Sequence, residues 1–256
     1  MNPRSNCPDL SGRHVFITGA ARGLGRSMAE KLARCGAQVA VTDVDADGCE
    51  AVAAGIGAAG GTALAFRVDV ASRDEVLGAA AEFARRCGRI DAIVNNAMLL
   101  RYEPVEQITA ETLSRMTAIG INGSVWGAQA LLAHYDATRG GAIVNMASPV
   151  AEKGFPNTAA YSLVKGAIVT LTKVLAAELG PRNVRVNAIA PGSVPTPGAL
   201  GLNDKAEYER RTRTIPLRRL GREADNAEAC AFLLSDAASF INGEILHVDG
   251  GIAAAG

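Results

Sequence analysis

The chain has no surplus of either charge, with 26 Lys and Arg against 26 Asp and Glu. That balance excludes broad electrostatic binding to nucleic acid or anionic lipid. The five cysteines, Cys7, Cys35, Cys49, Cys87 and Cys230, include no CxxC pair, and their number is odd. A disulfide framework is therefore excluded, and free thiols fit a reducing, cytoplasmic setting. The three histidines, His14, His134 and His247, lie far apart and form no ligand pair, so no metal site is expected. No apolar run is long enough to span a bilayer, because charges and glycines interrupt the alanine-rich stretches. The polar start, Met1 to Asp9, lacks the apolar core of a signal peptide and reads as a short flexible arm.

What remains is strand and helix in alternation. Apolar, β-rich runs stand at His14–Thr18, Gln38–Thr42, Ala63–Val68, Ile90–Val94, Ala142–Met146, Val184–Ile189 and Glu244–Val248. Helical patterns fill most of the gaps: Gly23–Cys35, Asp47–Ala59, Ser72 as a cap to about Cys87, a long region over Thr109–His134, and Thr158–Leu179. This order predicts an α/β fold, a Rossmann-like doubly wound parallel sheet of about seven strands with helices on both faces. No linker divides it, so residues 10–256 read as one dinucleotide-binding catalytic domain. The Pro-, Gly- and then charge-rich stretch 193–222 reads as a substrate-loop insertion.

Thr18-Gly19-Ala20-Ala21-Arg22-Gly23-Leu24-Gly25 joins the first strand to the first helix. Its glycines allow a sharp turn and a close approach to a pyrophosphate, and the helix start offers free N–H groups and a positive dipole end. Asp43, followed by Val44, ends the second strand. A carboxylate there can accept both hydroxyls of an adenosine ribose and would repel a 2′-phosphate. It favours NAD over NADP, although Arg22 in the glycine loop could suit a 2′-phosphate. Tyr161 and Lys165 stand at i and i+4 on a predicted helix and share a face. A free phenol, with its pKa of about 10, is a poor base near neutral pH, and a neighbouring ammonium favours the phenolate. Ser148 follows the fifth strand, at the sheet edge where ligands bind, and its hydroxyl could hold a reacting oxygen beside the tyrosine.

In order, the Thr18–Gly25 loop, Asp69-Val70, Asn95-Asn96-Ala97, Ser148, Tyr161-Ser-Leu-Val-Lys165, Pro191-Gly192 and Val248-Asp249-Gly250-Gly251 resemble the short-chain dehydrogenase/reductase family over about Leu10 to Gly251. The resemblance implies hydride transfer between NAD(H) and a secondary alcohol or ketone. It also implies that Asn122 completes a tetrad with Ser148, Tyr161 and Lys165. Asp69 and Val70 would contact adenine, Asn96 the riboses, and Val194 and Thr196 the nicotinamide carboxamide, with Asn95 bracing the sheet. One departure is Met98, where the family usually has glycine; another is Asn242, where it often has threonine. Met98, Leu99, Pro149, Val150, Phe155 and Val194 are candidate pocket walls for an apolar small molecule, or else core residues. The arginines from Arg210 to Arg222 are flanked by acids and read as a solvated surface, with a substrate carboxylate as the alternative.

Two other functions share these features. A redox sensor or scaffold would bind the nucleotide without turnover. An enoyl reductase or sugar epimerase would need a longer gap between Tyr161 and Lys165 or a larger C-terminal part. The family also commonly forms homotetramers through two long helices and the last strand. Here Ala118, Gly120, Gly123, Ser124, Gly127 and Ala128 would permit close helix approach, or pack inside the subunit, and the apolar tail Gly251–Gly256 could tuck into a neighbour.

Overall fold

In a computed structural model, residues 7–199 and 205–255 are described. Most of the N-terminal arm, part of the 193–222 stretch and the last tail residue lie outside them. Seven parallel strands form one sheet: β1 (His14–Thr18), β2 (Gln38–Asp43), β3 (Thr62–Arg67), β4 (Ala92–Asn95), β5 (Gly141–Met146), β6 (Val184–Pro191) and β7 (Ile245–Val248). Their order is β3-β2-β1-β4-β5-β6-β7. The expected fold class is the observed one, with strand boundaries moved by at most two residues.

Alternation along each strand sends side chains to both faces, and both faces are covered. Val15, Ile17, Val39, Val41, Val94 and Val144 share one core with α1 (Gly23–Arg34) and α2 (Ala46–Ala58). Phe16, Ala40, Ile93, Ile143 and Val186 share the other core with α3 (Arg73–Cys87). Ser72 caps α3 as expected, accepting a hydrogen bond from the Glu75 N–H.

The long region before β5 is interrupted. It consists of α4 (Ala110–Thr117), a wider-wound π turn over Ala118–Asn122, and α5 (Gly123–His134). The break falls where Gly120, Asn122 and Gly123 weaken the helix. After β5 comes α6 (Ala159–Leu179), and after β6 come α7 (Lys205–Thr214) and α8 (Glu223–Leu234). The alternation of strands did not announce α8, which follows α7 with no strand between. Its Ala227, Cys230, Ala231 and Leu234 at helical spacing lie in the same core as Met28 and Leu32 of α1.

The chain winds outward from β1 to β3, then returns to place β4 beside β1. Connections on either side of that reversal leave in opposite directions and open a crevice at the carboxyl ends of the strands. The Thr18 hydroxyl bridges it from below, accepting from the Asn96 and Ala97 N–H groups at 3.0 and 3.1 Å.

Candidate active site

The crevice holds a cleft of about 560 Å³. Its walls come from the loops after β1, β2, β3, β4, β5 and β6, from the start of α6, and from α7. Gly19, Arg22, Gly23, Leu24, Asp43, Val44, Asp69, Val70, Asn96, Val194 and Thr196 all line it, as do Ser148, Tyr161 and Lys165.

The start of α1 is built for an anion. Its capping residue, Arg22, gives no side-chain hydrogen bond to the helix, and no acidic residue sits in the first turn. The first N–H groups therefore face the cleft with the positive end of the helix dipole. Gly19 turns with φ of +64° and passes so close to Ala97 that a Cβ would lie 2.8 Å from its Cα. Gly25 is buried, and a Cβ there would overlap the Gly19 carbonyl oxygen. It shapes the loop from beneath instead of lining the cleft. Asn96 shares that task, donating to the Thr18 and Gly19 carbonyls at 3.0 and 2.8 Å. Next to the loop, Asp43 accepts from the Ala21 and Asp45 N–H groups at 3.3 and 3.2 Å. No ion pair joins Arg22 to Asp43 among the described residues, and Arg22 is exposed. A nucleotide with a pyrophosphate and an adenosine ribose fits this donor set.

At the other end of the cleft, α6 presents Tyr161 and Lys165 side by side. The Lys165 ammonium sits 5.5 Å from the centre of the Tyr161 ring and donates to the Met146 carbonyl at 2.6 Å. Lys165 is buried, which pushes its pKa down to about 8. Burial also pushes the Tyr161 phenol above its ordinary value, with Tyr102 adding to the rise and a hydrogen bond with Ser148 opposing it. Burial thus shifts both groups in the direction of their neutral forms. Ser148 lines the cleft beside Tyr161 and also caps a turn, accepting from the Val150 N–H at 3.4 Å. Asn95 sits beneath all of this, donating to Asn145 at 2.8 Å, which in turn donates to Thr172 of α6 at 3.0 Å.

Asn122 does not join the group. It ends the π turn with its side chain exposed, outside the cleft. The buried residue of that turn is Gly120, where a Cβ would overlap Val164 and lie 2.9 Å from Met98 Sδ. The resemblance puts Asn122 in the tetrad; at the end of the wider-wound π turn it stands exposed instead. Met98 fills the room above Gly120, and that glycine makes the space for it.

Of the expected pocket walls, Met98, Leu99 and Val194 line the cleft, while Pro149, Val150 and Phe155 do not. Four polar lining residues were not singled out from sequence: Tyr102, Arg115, Ser193 and Tyr208. Arg211, read as solvated surface, lines it too. A smaller cavity of about 130 Å³ at the opposite ends of the strands is bounded by Arg13, Asp91 and Arg185. Arg13 pairs with Asp236 and Arg89 with Asp91, both at 2.7 Å, so much of its charge is matched locally.

A family model described as enoyl-(acyl carrier protein) reductase matches residues 19–253. The chain is 39% identical over 242 residues to D-threitol dehydrogenase of Mycolicibacterium smegmatis, covering 94% of this chain and 93% of that protein. It is similar in structure to a 7 alpha-hydroxysteroid dehydrogenase complexed with NADH and 7-oxo glycochenodeoxycholic acid, with a TM-score of 0.92, 33% identity and 95% of each chain covered. A gluconate 5-dehydrogenase from Burkholderia cenocepacia, in complex with NADP and tartrate, superposes with a TM-score of 0.92 at 32% identity, covering 97% of this chain and 98% of that one.

Proposed function

The chain belongs to the short-chain dehydrogenase/reductase family and is an NAD(P)-dependent oxidoreductase acting on CH–OH groups, and within that class we propose that it uses NAD(H) to interconvert a secondary alcohol and a ketone through Tyr161. The observation that carries this reading is the single cleft that holds an uncapped helix start and Asp43 at one end and Tyr161, Lys165 and Ser148 at the other. The enoyl reductase named in the family description is disfavoured by the three-residue gap between Tyr161 and Lys165, and the relatives above are named as dehydrogenases of threitol, a hydroxysteroid and gluconate. A nucleotide-binding sensor has no need of a buried ammonium held against a phenol.

The residues divide the work. Gly19, Gly23 and Leu24 cradle the pyrophosphate, with Gly25 shaping the loop. Asp43 takes the adenosine ribose hydroxyls beside Val44, and Asp69 and Val70 flank the adenine. Asn96 holds the loop near the riboses, and Val194 and Thr196 meet the carboxamide. The bound nicotinamide supplies the hydride acceptor or donor. Ser148 orients the substrate oxygen, Tyr161 takes or returns its proton, and Lys165 holds the nicotinamide ribose and stabilises the phenolate. Asn122 has no part in this scheme. Met98, Leu99 and Val194 suit a substrate with an apolar body.

The assembly is a homotetramer on this reading, supported by Leu113 on α4 and by Leu163 and Val174 on α6, which are exposed. The small residues of α5 no longer bear on it, because Gly123, Ser124, Gly127 and Ala128 pack inside the subunit. All five cysteines are free, which suits the cytoplasm. Among the described residues no helix is long and apolar enough to cross a membrane.

Tyr161→Phe keeps the ring and removes the proton, so kcat is expected to fall about 10²–10⁴-fold with NADH affinity nearly unchanged. Steady-state rates and a fluorescence titration check this, and activity within a few-fold of wild type removes Tyr161 from the chemistry. The pH dependence follows from the raised phenol. Ketone reduction finds its acid loaded through neutral pH and loses it only in the alkaline range. Alcohol oxidation needs the phenolate, so its kcat/KM is expected to climb toward alkaline pH by about a decade per unit. A flat oxidation profile from about pH 6 to 10 contradicts that assignment. Replacing Asp43 with Ser is expected to shift the NAD-to-NADP ratio of kcat/KM toward NADP by about tenfold or more, the scale of a hydrogen bond to a charged group. A wild-type preference for NADP overturns the weight given to Asp43 over Arg22. Light scattering behind a sizing column is expected to return a tetramer mass; a monomer at micromolar concentration refutes the assembly.

A further inference from the structure

Beyond Tyr161 the cleft is lined by apolar side chains, Met98, Leu99 and Val194, and by polar ones that include Tyr102 and Arg211. The Tyr102 ring stands edge-on to Tyr161, with centroids 5.6 Å apart and planes at 69°. Tyr102 is therefore the immediate neighbour of the Tyr161 ring. The Tyr102 hydroxyl has no hydrogen-bond partner among the described residues, although its ring is half-buried.

Arg211 is held in place on two sides. Its Nε donates to Glu207 at 2.7 Å and one terminal nitrogen donates to the Ser193 hydroxyl at 3.1 Å. These bonds tie α7 to the loop after β6 and fix the plane of the guanidinium. The second terminal nitrogen has no acceptor among the described residues. Glu207 also receives Arg210 in a two-pronged pair, at 2.8 Å for each contact. Two guanidiniums against one shared carboxylate leave positive charge over, and of these two arginines Arg211 is the one in the cleft. Tyr102 and Arg211 both line the cleft, and the guanidinium is near enough to oppose the rise that burial imposes on the Tyr102 phenol. An open N–H, an open O–H and an incompletely matched positive charge are what a carboxylate requires.

Building on the alcohol–ketone reading above, we propose that Arg211 and Tyr102 bind a carboxylate on the substrate. The preferred substrate is then a hydroxy or oxo acid, with an apolar middle against Met98 and Leu99 and its acid group a few bonds from the reacting carbon.

The test uses hydroxyhexanoates that differ in the position of the alcohol, each paired with its neutral primary amide. Wild-type kcat/KM is expected to favour the acid over the amide by about 10- to 100-fold for at least one position, the scale of a charge-assisted hydrogen bond. Arg211→Met is expected to collapse that ratio toward one, mainly through KM, and Arg211→Lys to keep part of it. Arg213→Met, which removes an equal charge from the same helix outside the cleft, is expected to keep the wild-type ratio. Equal use of acid and amide by wild type overturns the proposal, as does the same loss in Arg211→Met and Arg213→Met. A second measurement does not depend on turnover. Calorimetric titration of the NADH-loaded protein with hexanoate is expected to show binding to wild type that Arg211→Met loses; binding to neither or to both alike overturns the proposal. If no alcohol in a neutral panel or in this series is oxidised, the alcohol–ketone reading fails, while the hexanoate titration still decides Arg211.

Discussion

Every feature of the site depends on a sheet that is buried on both faces. Parallel strands with apolar residues on each side need helices above and below, and each helix must return the chain to the same end of the sheet. All the loops that carry polar groups therefore gather at the carboxyl ends of the strands. The reversal between β1 and β4 then opens the crevice in the middle of the sheet. Thr18, Asn95 and Asn96 hold that opening in shape with hydrogen bonds across neighbouring elements. The network is internally satisfied at most points, which is why these polar side chains can lie so deep.

Within the crevice, burial sets the chemistry. Lys165 and Tyr161 sit where solvation is poor, so charge on either one is costly. The ammonium keeps a carbonyl partner in Met146, and the phenol keeps a hydroxyl partner in Ser148. Further positive charge in the cleft favours the phenolate, which links proton transfer to an occupied cleft. The same desolvation strengthens any charged contact made at the substrate end.

The two unusual residues on the floor belong together. Met98 places a thioether where many side chains at position 120 would collide with it, and Gly120 supplies no side chain. The π turn that carries Gly120 also swings Asn122 outward. The cleft is consequently apolar and packed at Met98, while Tyr102 and Arg211 supply polar groups to the same cleft.

Periodicity and punctuation were enough for much of the fold. Alternating apolar runs, glycine stops and the Ser72 cap marked seven strands and most of the helices, because these are local consequences of backbone geometry. The glycine loop, Asp43, Ser148, Tyr161 and Lys165 were legible for the same reason: each sits at a fixed place relative to a strand end or a helix turn. Distances between elements are not written locally. Gly120, Asn122 and Gly123 mark a weak stretch of helix, but its winding and the side chains it turns inward depend on packing against Val164 and Met98. Nothing near Arg211 distinguishes it from its exposed neighbours, since its entry into the cleft depends on how α7 docks on the loop after β6. The sequence determined the elements and the chemistry carried at their ends; the tertiary structure alone decided which side chains share one desolvated space, because that choice is made by packing between residues far apart in the chain.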